Sequence, residues 1–363
     1  MTRPSTVLPL TIASALLLAS CGGSDAGTTG EGTQLHVVTA FYPLEFATQQ
    51  VVEGVDGVEV ETLTSPGVDA HDLELTPRQV GSISEADLVV YSSGMQAAVD
   101  EAVGEQAADH SLDTTTVVNL VDRSSEEQGA SEDGHEASHE GHEEHEDEDS
   151  DHEGHENEGA HEGHEEHDDE DSDHEGHEDD GAGHEGHDHG PLDPHFWLDP
   201  QRYADATEAI AEELAIADPA NAEAYRANAQ AFAAELGALD TEFSQALATC
   251  EQDTMVTTHE AFGYLADRYG LHQIGISGIV PDGEVSPARV AEITRTVEEL
   301  GVPAIYAESS AGGDLADVIA SETGTQVLSL DPIEGISGDS AGSDYLEVMS
   351  ANLEALRQGQ GCA

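Results

Sequence analysis

Four polar residues stand in predicted loops or at the ends of predicted strands. His71 lies in "SPGVDAHDLELTP" and His195 in "DPHFWLDP", while His259 ends "TMVTTH" and Asp331 lies in "LSLDP". In parallel α/β sheets, ligands bind where such loops converge. Three imidazoles and one carboxylate form a coordination sphere suited to a divalent ion of the zinc class. A single histidine in such a place is more often a surface residue, but three in equivalent positions predict a metal site.

Residues 126–190 form a second concentration of possible metal ligands. This tract holds 14 of the 20 histidines and 30 of the 78 acidic residues, and a 17-residue unit starting at Glu140 recurs from Glu162 with one difference. The unit has no apolar side chain to bury, so we expect the tract to be disordered. Near pH 7 an unperturbed imidazole is mostly neutral and free to bind metal.

We therefore predict that the tract is a flexible, low-affinity metal collector beside the tight site. A merely solubilising acidic tail is the alternative, but it does not explain the density of histidines. The histidines assigned to the weak sites are His142, His145, His152, His155, His164, His167, His174, His177, His184, His187 and His189.

Strands alternate with helices on both sides of a helix-rich centre, which is typical of βαβ units and parallel sheets. The predicted fold class is α/β, with two βα lobes joined by one long backbone helix and a disordered His-rich and acidic insertion. The strands predicted in the first lobe are 35–40, 58–64, 87–93 and 114–121. The joining helix is predicted over 218–250, capped by Asp218 with Pro219 at its first position, and a helix of about 30 residues spans about 45 Å. Two further helix starts are predicted, with Thr76 and Ser286 as N-caps and Pro77 and Pro287 at the first helical positions.

The start of the chain predicts export and lipid anchoring. A single early basic residue, Arg3, precedes an apolar run that is too short for a stop-transfer helix. The run ends in "LASC", which resembles a bacterial lipobox in which Cys21 is lipidated after cleavage. The predicted organisation is a signal peptide over 1–20, a flexible tether over 21–33, an N-terminal lobe over 34–217 that contains the insertion, the helix 218–250, and a C-terminal lobe over 251–363.

Charge and cysteine content narrow the classes of partner and compartment. The formal net charge is −69, and there is no lysine. Nucleic acid is therefore excluded as a partner, because phosphate binding needs Lys/Arg patches. After lipidation of Cys21, only Cys250 and Cys362 remain as thiols, and two cysteines in an oxidising compartment most simply form a disulfide.

Seven motifs in order resemble the zinc- and manganese-binding solute receptors of bacterial ABC importers, most closely the ZnuA-like zinc branch. They are "FYPLEFATQQV", "PGVDAHDLELTPRQV", "ADLVVYSSG", "DPHFWLDP", "TTHEAFGYLADRYGL", "AIYAESS" and "DYLEVMSANLEAL". The resemblance covers nearly all of residues 34–357 apart from the tract. It implies a monomeric receptor that carries Zn(II) as its transported ligand, with an ABC permease and its ATPase as partners. It also implies an extracytoplasmic, lipid-anchored location.

The family's ligands map onto the same four residues, His71, His195, His259 and Asp331. Glu308 matches an acidic residue near the pocket that would orient a ligand histidine. Some zinc receptors have an acidic residue before the first histidine, where this chain has Ala70, so Asp331 or water is expected as the fourth ligand. His259 stands where manganese receptors have glutamate, and this favours zinc.

Two other classes of function remain as alternatives. One is a manganese receptor or adhesin of the same family. The other is a zinc hydrolase, which would keep one coordination position open for water and add a general base. A site closed by four protein ligands argues against the hydrolase.

Overall fold

The computed structural model describes residues 34–121, 192–279, 285–308 and 313–363. These residues form two lobes, each built on a four-stranded parallel sheet flanked by helices, so the predicted fold class is confirmed. Within the described residues, no helix combines the length and apolarity needed to cross a membrane. The signal peptide, the tether with Cys21 and the His-rich tract lie outside the described residues.

The N-terminal lobe has the strand order β2-β1-β3-β4, with the most buried strand, β1, near its centre. Its capping box at Thr76, with Pro77 at the first helical position, starts α2 as the sequence predicts. The elements are β1 (Leu35–Thr39), α1 (Tyr42–Val51), β2 (Val58–Thr62), α2 (Pro77–Glu85), β3 (Leu88–Tyr91), α3 (Ala97–Gln106) and β4 (Ser111–Asp113).

The fourth strand is shorter and earlier than the predicted strand over 114–121. Strand β4 ends at Asp113, and a 3-10 turn follows over Thr114–Thr116. The Asp113 carboxylate accepts hydrogen bonds from the Thr115 N–H at 3.0 Å and the Thr115 hydroxyl at 2.8 Å. This side-chain capping ends the strand although the following threonines and valines favour extended structure.

Two helices connect the lobes. A 3-10 turn (Phe196–Leu198) leads into α4 (Pro200–Ala217), which is followed by α5 (Ala222–Ala246). Helix α5 has 25 residues and spans about 38 Å, which is shorter than predicted for 218–250. Asp218 does not cap it, because its carboxylate accepts from the Asn221 amide and the Ala220 N–H in the turn between the two helices.

The C-terminal lobe repeats the same plan, with strand order β6-β5-β7-β8. Ser286 caps α7 by accepting from the Arg289 N–H, and Pro287 is the first helical residue, as the sequence predicts. The elements are β5 (Thr254–Thr257), α6 (Gly263–Tyr269), β6 (His272–Gly275), α7 (Pro287–Leu300), β7 (Ala304–Ala307), α8 (Gly313–Thr323), β8 (Gln326–Ser329) and α9 (Tyr345–Gly359).

One apolar core runs continuously from lobe to lobe. Tyr203 of α4 lies 4.6 Å, ring to ring, from Tyr345 of α9, and Phe46 of α1 packs on both Tyr345 and Phe232. These aromatic side chains are buried and resist separation of the lobes. The C-terminus is also fixed, because Cys250 and Cys362, the predicted pair, are joined by a disulfide.

Candidate metal site

Four side chains converge between the two sheets. Glu334 Oε1 lies 3.4 Å from His71 Nε2, 3.3 Å from His195 Nε2 and 3.6 Å from His259 Nε2. The four candidate ligand atoms all lie within 4.8 Å of one another. The side chains are almost withdrawn from solvent, at 7%, 0% and 1% exposure for the three histidines and 12% for Glu334.

The three distances from Glu334 to the histidines are close to those between ligands of a tetrahedral zinc ion. Ligand atoms about 2.0–2.1 Å from a zinc ion at tetrahedral angles are separated by about 3.3–3.4 Å. Each of the four atoms is buried and has no hydrogen-bond partner among the residues that the structure describes. Leaving such groups unpaired is costly, and a cation at their centre would satisfy all four at once.

His195 is held by a neighbour two residues earlier in the chain. Its Nδ1 lies 2.8 Å from Asp193 Oδ1, and the same oxygen accepts the His195 backbone N–H at 3.0 Å. A carboxylate at Nδ1 favours the tautomer that carries its proton there and leaves the Nε2 lone pair facing the other ligands. The Trp197 ring centroid lies 5.3 Å from that of the imidazole and fixes its second side.

His259 is oriented in the same way by Glu308. The Glu308 carboxylate contacts His259 Nδ1 and accepts from the Thr258 hydroxyl at 2.9 Å. Glu308 directly follows β7 and His259 lies just beyond the end of β5, so two adjacent parallel strands deliver the pair to one edge of the sheet. The structure thus places Glu308 where the sequence predicted an orienting carboxylate.

His71 is positioned through its backbone. Its N–H donates to Asp69 Oδ1 at 2.8 Å, and the carbonyl of the preceding Ala70 accepts from the buried Gln96 side chain at 2.8 Å. The Gln96 amide also donates to Thr64 Oγ1, which ties the loop to the end of β2. Gln96, the residue before α3, thereby holds the backbone of the loop that carries His71.

The fourth member of the cluster is Glu334, whereas Asp331 contributes no ligand atom to it. The Asp331 carboxylate accepts the Ile333 N–H at 2.8 Å, and the Asn352 side chain pairs with both the N–H and the carbonyl of Asp331. This turn places Ile333 at φ 59°, a conformation that β-branched residues rarely adopt. Asp331 therefore shapes the turn that presents Glu334.

The pKa values of the clustered side chains are shifted because these side chains are buried and lie close together. Burial raises the pKa of Glu334, but the three imidazoles outweigh it and hold that pKa well below its usual range. Burial lowers the pKa of His259, but contacts with Glu308 and Glu334 raise it to about 10. The pKa of His195 is also raised, because Asp193 and Glu334 outweigh its burial. Without an ion, the cluster therefore retains protons near neutral pH.

Sequence reasoning missed Glu334 and Asp193. Glu334 follows Asp331 by three residues in "LDPIEG", and Asp331 stands nearer the strand end where ligands are expected. An Asp-Pro pair is also a turn signal, so an acidic residue just beyond it could have been considered. Asp193 could have been found as the carboxylate two residues before a candidate ligand. The weak sites assigned to the tract lie outside the described residues and stay a prediction.

Comparisons with known proteins identify similar chains. The family model described as "Zinc-uptake complex component A periplasmic" (ZnuA) matches residues 37–359. The chain is 32% identical over 349 residues to the high-affinity zinc uptake system protein ZnuA of Bacillus subtilis, covering 94% of this chain and 93% of that protein. It is 33% identical over 327 residues to the zinc-binding protein AdcA of Streptococcus pyogenes, covering 89% of this chain but 56% of AdcA.

Solved structures give the same picture. Zn(II)-bound AdcA of Streptococcus pneumoniae matches with a TM-score of 0.64 at 28% identity, covering 90% of this chain and 58% of that one. The laminin-binding protein Lmb of Streptococcus agalactiae, described as having adhesin and metal-transporting activity, matches with a TM-score of 0.66 at 27% identity. That match covers 90% of this chain and 99% of Lmb.

Proposed function

Because this chain belongs to the ZnuA family of periplasmic zinc-uptake components, we propose that it is an extracytoplasmic receptor that captures Zn(II) and delivers it to an ABC importer. The observation that carries the proposal is the convergence, within 4.8 Å of one another, of four buried atoms from His71, His195, His259 and Glu334 that have no other partner among the described residues. The partners are the importer's permease and its ATPase. The receptor acts as a monomer. It is anchored through Cys21, which the name zinc-binding lipoprotein of pneumococcal AdcA supports.

The donor set favours zinc over manganese. Three imidazole nitrogens and one carboxylate suit a borderline-soft ion, whereas manganese prefers oxygen ligands and more of them. The cluster offers four donor atoms within 4.8 Å of one another, and four is the coordination number that zinc takes in structural sites. A manganese receptor of the same architecture would require more oxygen donors than these residues supply.

Capture follows from how the ligands are held. Asp193 and Glu308 fix the imidazole planes of His195 and His259, so little ordering entropy is lost when the ion binds. Zinc replaces the retained protons, and Glu334 contributes a negative charge that is already ionised. The His-rich tract would hold further ions weakly near the pocket.

A zinc hydrolase is less well supported. Glu334 fills the coordination position that a catalytic zinc keeps for water. Two short hydrolase-like matches exist in the sequence, "HEASH" at 135–139 and "GDSAG" at 338–342. The first lies outside the described residues. The second lies in the connection between β8 and α9, without the direct strand-turn-helix elbow that a serine nucleophile needs.

The experiment is a zinc titration of the full chain in competition with a chromophoric chelator. The sole tryptophan, Trp197, lies 5.3 Å from the His195 ring, so its fluorescence reports on this site separately from the tract. We expect one tight zinc ion, and loss of that ion in the His195→Ala protein. His272→Ala, which removes a histidine of the exposed β6 end, is the matched control and should bind normally. Unchanged stoichiometry in His195→Ala would defeat the assignment.

A further inference from the structure

We propose, resting on the zinc-capture function above, that Tyr264 of the C-terminal lobe is a positioning residue for His195 and acts through Asp193. Tyr264 lies on α6, five residues after the ligand His259. His195 belongs to the segment that enters α4 from the other lobe. One hydroxyl group thus sets the relative position of two zinc ligands that come from different parts of the fold.

Within the part of the chain that the structure describes, the Tyr264 hydroxyl bonds to two backbone groups across the lobes. It donates to the Asp193 carbonyl at 2.7 Å and accepts the Val121 N–H at 2.8 Å. The Asp193 N–H in turn donates to the Val121 carbonyl at 3.0 Å. The three groups close a small ring, so the segments on either side of residues 122–191 are held together and held to α6.

The hydrogen-bonded ring formed by Tyr264, Asp193 and Val121 fixes the position of Asp193, whose carboxylate orients His195. Asp193 is fully buried, with its backbone bound to Tyr264 and Val121 and its side chain bound to His195 through both Nδ1 and the backbone N–H. A shift of the Asp193 backbone would move the carboxylate relative to Nδ1 and rotate the imidazole. Loss of an orienting hydrogen bond of this kind typically weakens metal binding by about 10–100-fold.

A cation packs on the tyrosine from outside. The Arg202 guanidinium lies 4.8 Å from the centroid of the Tyr264 ring and donates to the Asn119 carbonyl. The ring is therefore held on its face by Arg202 and at its hydroxyl by Asp193 and Val121. Both the aromatic ring and the hydroxyl are buried, with Tyr264 1% exposed. The phenol side chain therefore holds the two lobes in a fixed relative position.

The test compares Tyr264→Phe with Tyr225→Phe in the full chain. Each change removes one hydroxyl from a fully buried tyrosine, but the Tyr225 hydroxyl bonds to Asp218 in the turn between α4 and α5. We expect both variants to lose thermal stability, and Tyr264→Phe alone to bind zinc about 10–100-fold more weakly in chelator competition. Equal zinc affinity of Tyr264→Phe and the unmodified protein overturns the proposal.

A double-mutant cycle separates positioning from general stabilisation. Asp193→Ala should weaken zinc binding, and adding Tyr264→Phe to it should produce little further loss, because the carboxylate through which the hydroxyl acts is gone. If the double variant loses zinc affinity by the product of the two single-variant losses, the proposal is overturned. If Asp193→Ala does not fold, Asp193→Val, which also removes the acceptor oxygen but fills more of its space, takes its place in the same cycle with the same two outcomes. Absence of a tight zinc site in the unmodified protein would instead refute the proposed function.

Discussion

Zinc binding should release about one proton or more even at pH 8, where ordinary histidines would release almost none. A ligand imidazole must be neutral, so any proton that the ion-free site retains is expelled by the ion. The pKa of His259 is raised to about 10 by Glu308 and Glu334 despite its burial. At pH 8 this imidazole is almost fully protonated, and the raised pKa of His195 adds a further contribution.

A site with unperturbed histidines would release far fewer protons when zinc binds. Three histidines with the ordinary pKa of about 6.5 would together hold about 0.1 proton at pH 8. The shifted pKa values of this site predict about one proton or more at the same pH. Zinc affinity should therefore rise about tenfold for each pH unit and each proton released, over the range below the pKa of His259. Zinc affinity rises with pH because protons and zinc compete for the same imidazole nitrogens.

The assay is isothermal titration calorimetry at pH 8 in buffers of different ionisation enthalpy. The slope of observed enthalpy against buffer enthalpy gives the number of protons released as the first equivalent of zinc binds. Glu308→Gln removes a partner that raises the pKa of His259 and should reduce the release. A release near 0.1 proton from the unmodified protein would refute the reasoning about this site.

Three further predictions concern Glu334, the disulfide and the His-rich tract. Glu334→Gln should weaken zinc binding by about 100-fold, whereas Asp331→Asn, which keeps an acceptor for the turn, should change affinity less than tenfold in chelator competition. Replacing both Cys250 and Cys362 by serine should lower the free energy of unfolding by about 2–4 kcal/mol in urea denaturation, since their bond closes a loop with a sequence separation of 112. Equal stability with and without reductant would contradict that estimate. Deleting 126–190 should remove several weak zinc sites from a calorimetric titration and leave one tight site, so weak sites that persist would count against the collector.

Local signals in the sequence were sufficient for the architecture. Alternation of strands and helices gave two parallel sheets, and the Thr76-Pro77 and Ser286-Pro287 pairs gave two helix starts. Such features depend on a few neighbouring residues, which carry the same preference in the sequence and in the fold. The start of α5 and the strand predicted over 114–121 were placed incorrectly, because the Asp218 and Asp113 side chains compete with regular backbone hydrogen bonding.

By itself, the sequence determined the residue types available for zinc and the three loop histidines, which the structure brings together between the two sheets. The tertiary structure alone decided the rest of the site. Glu334 replaces Asp331 because Asp331 uses its carboxylate in a turn, and Asp193 depends on a tyrosine hydroxyl 71 residues away. The direction of a side chain after a turn, and a partner distant in the chain, are set by packing that no local pattern encodes.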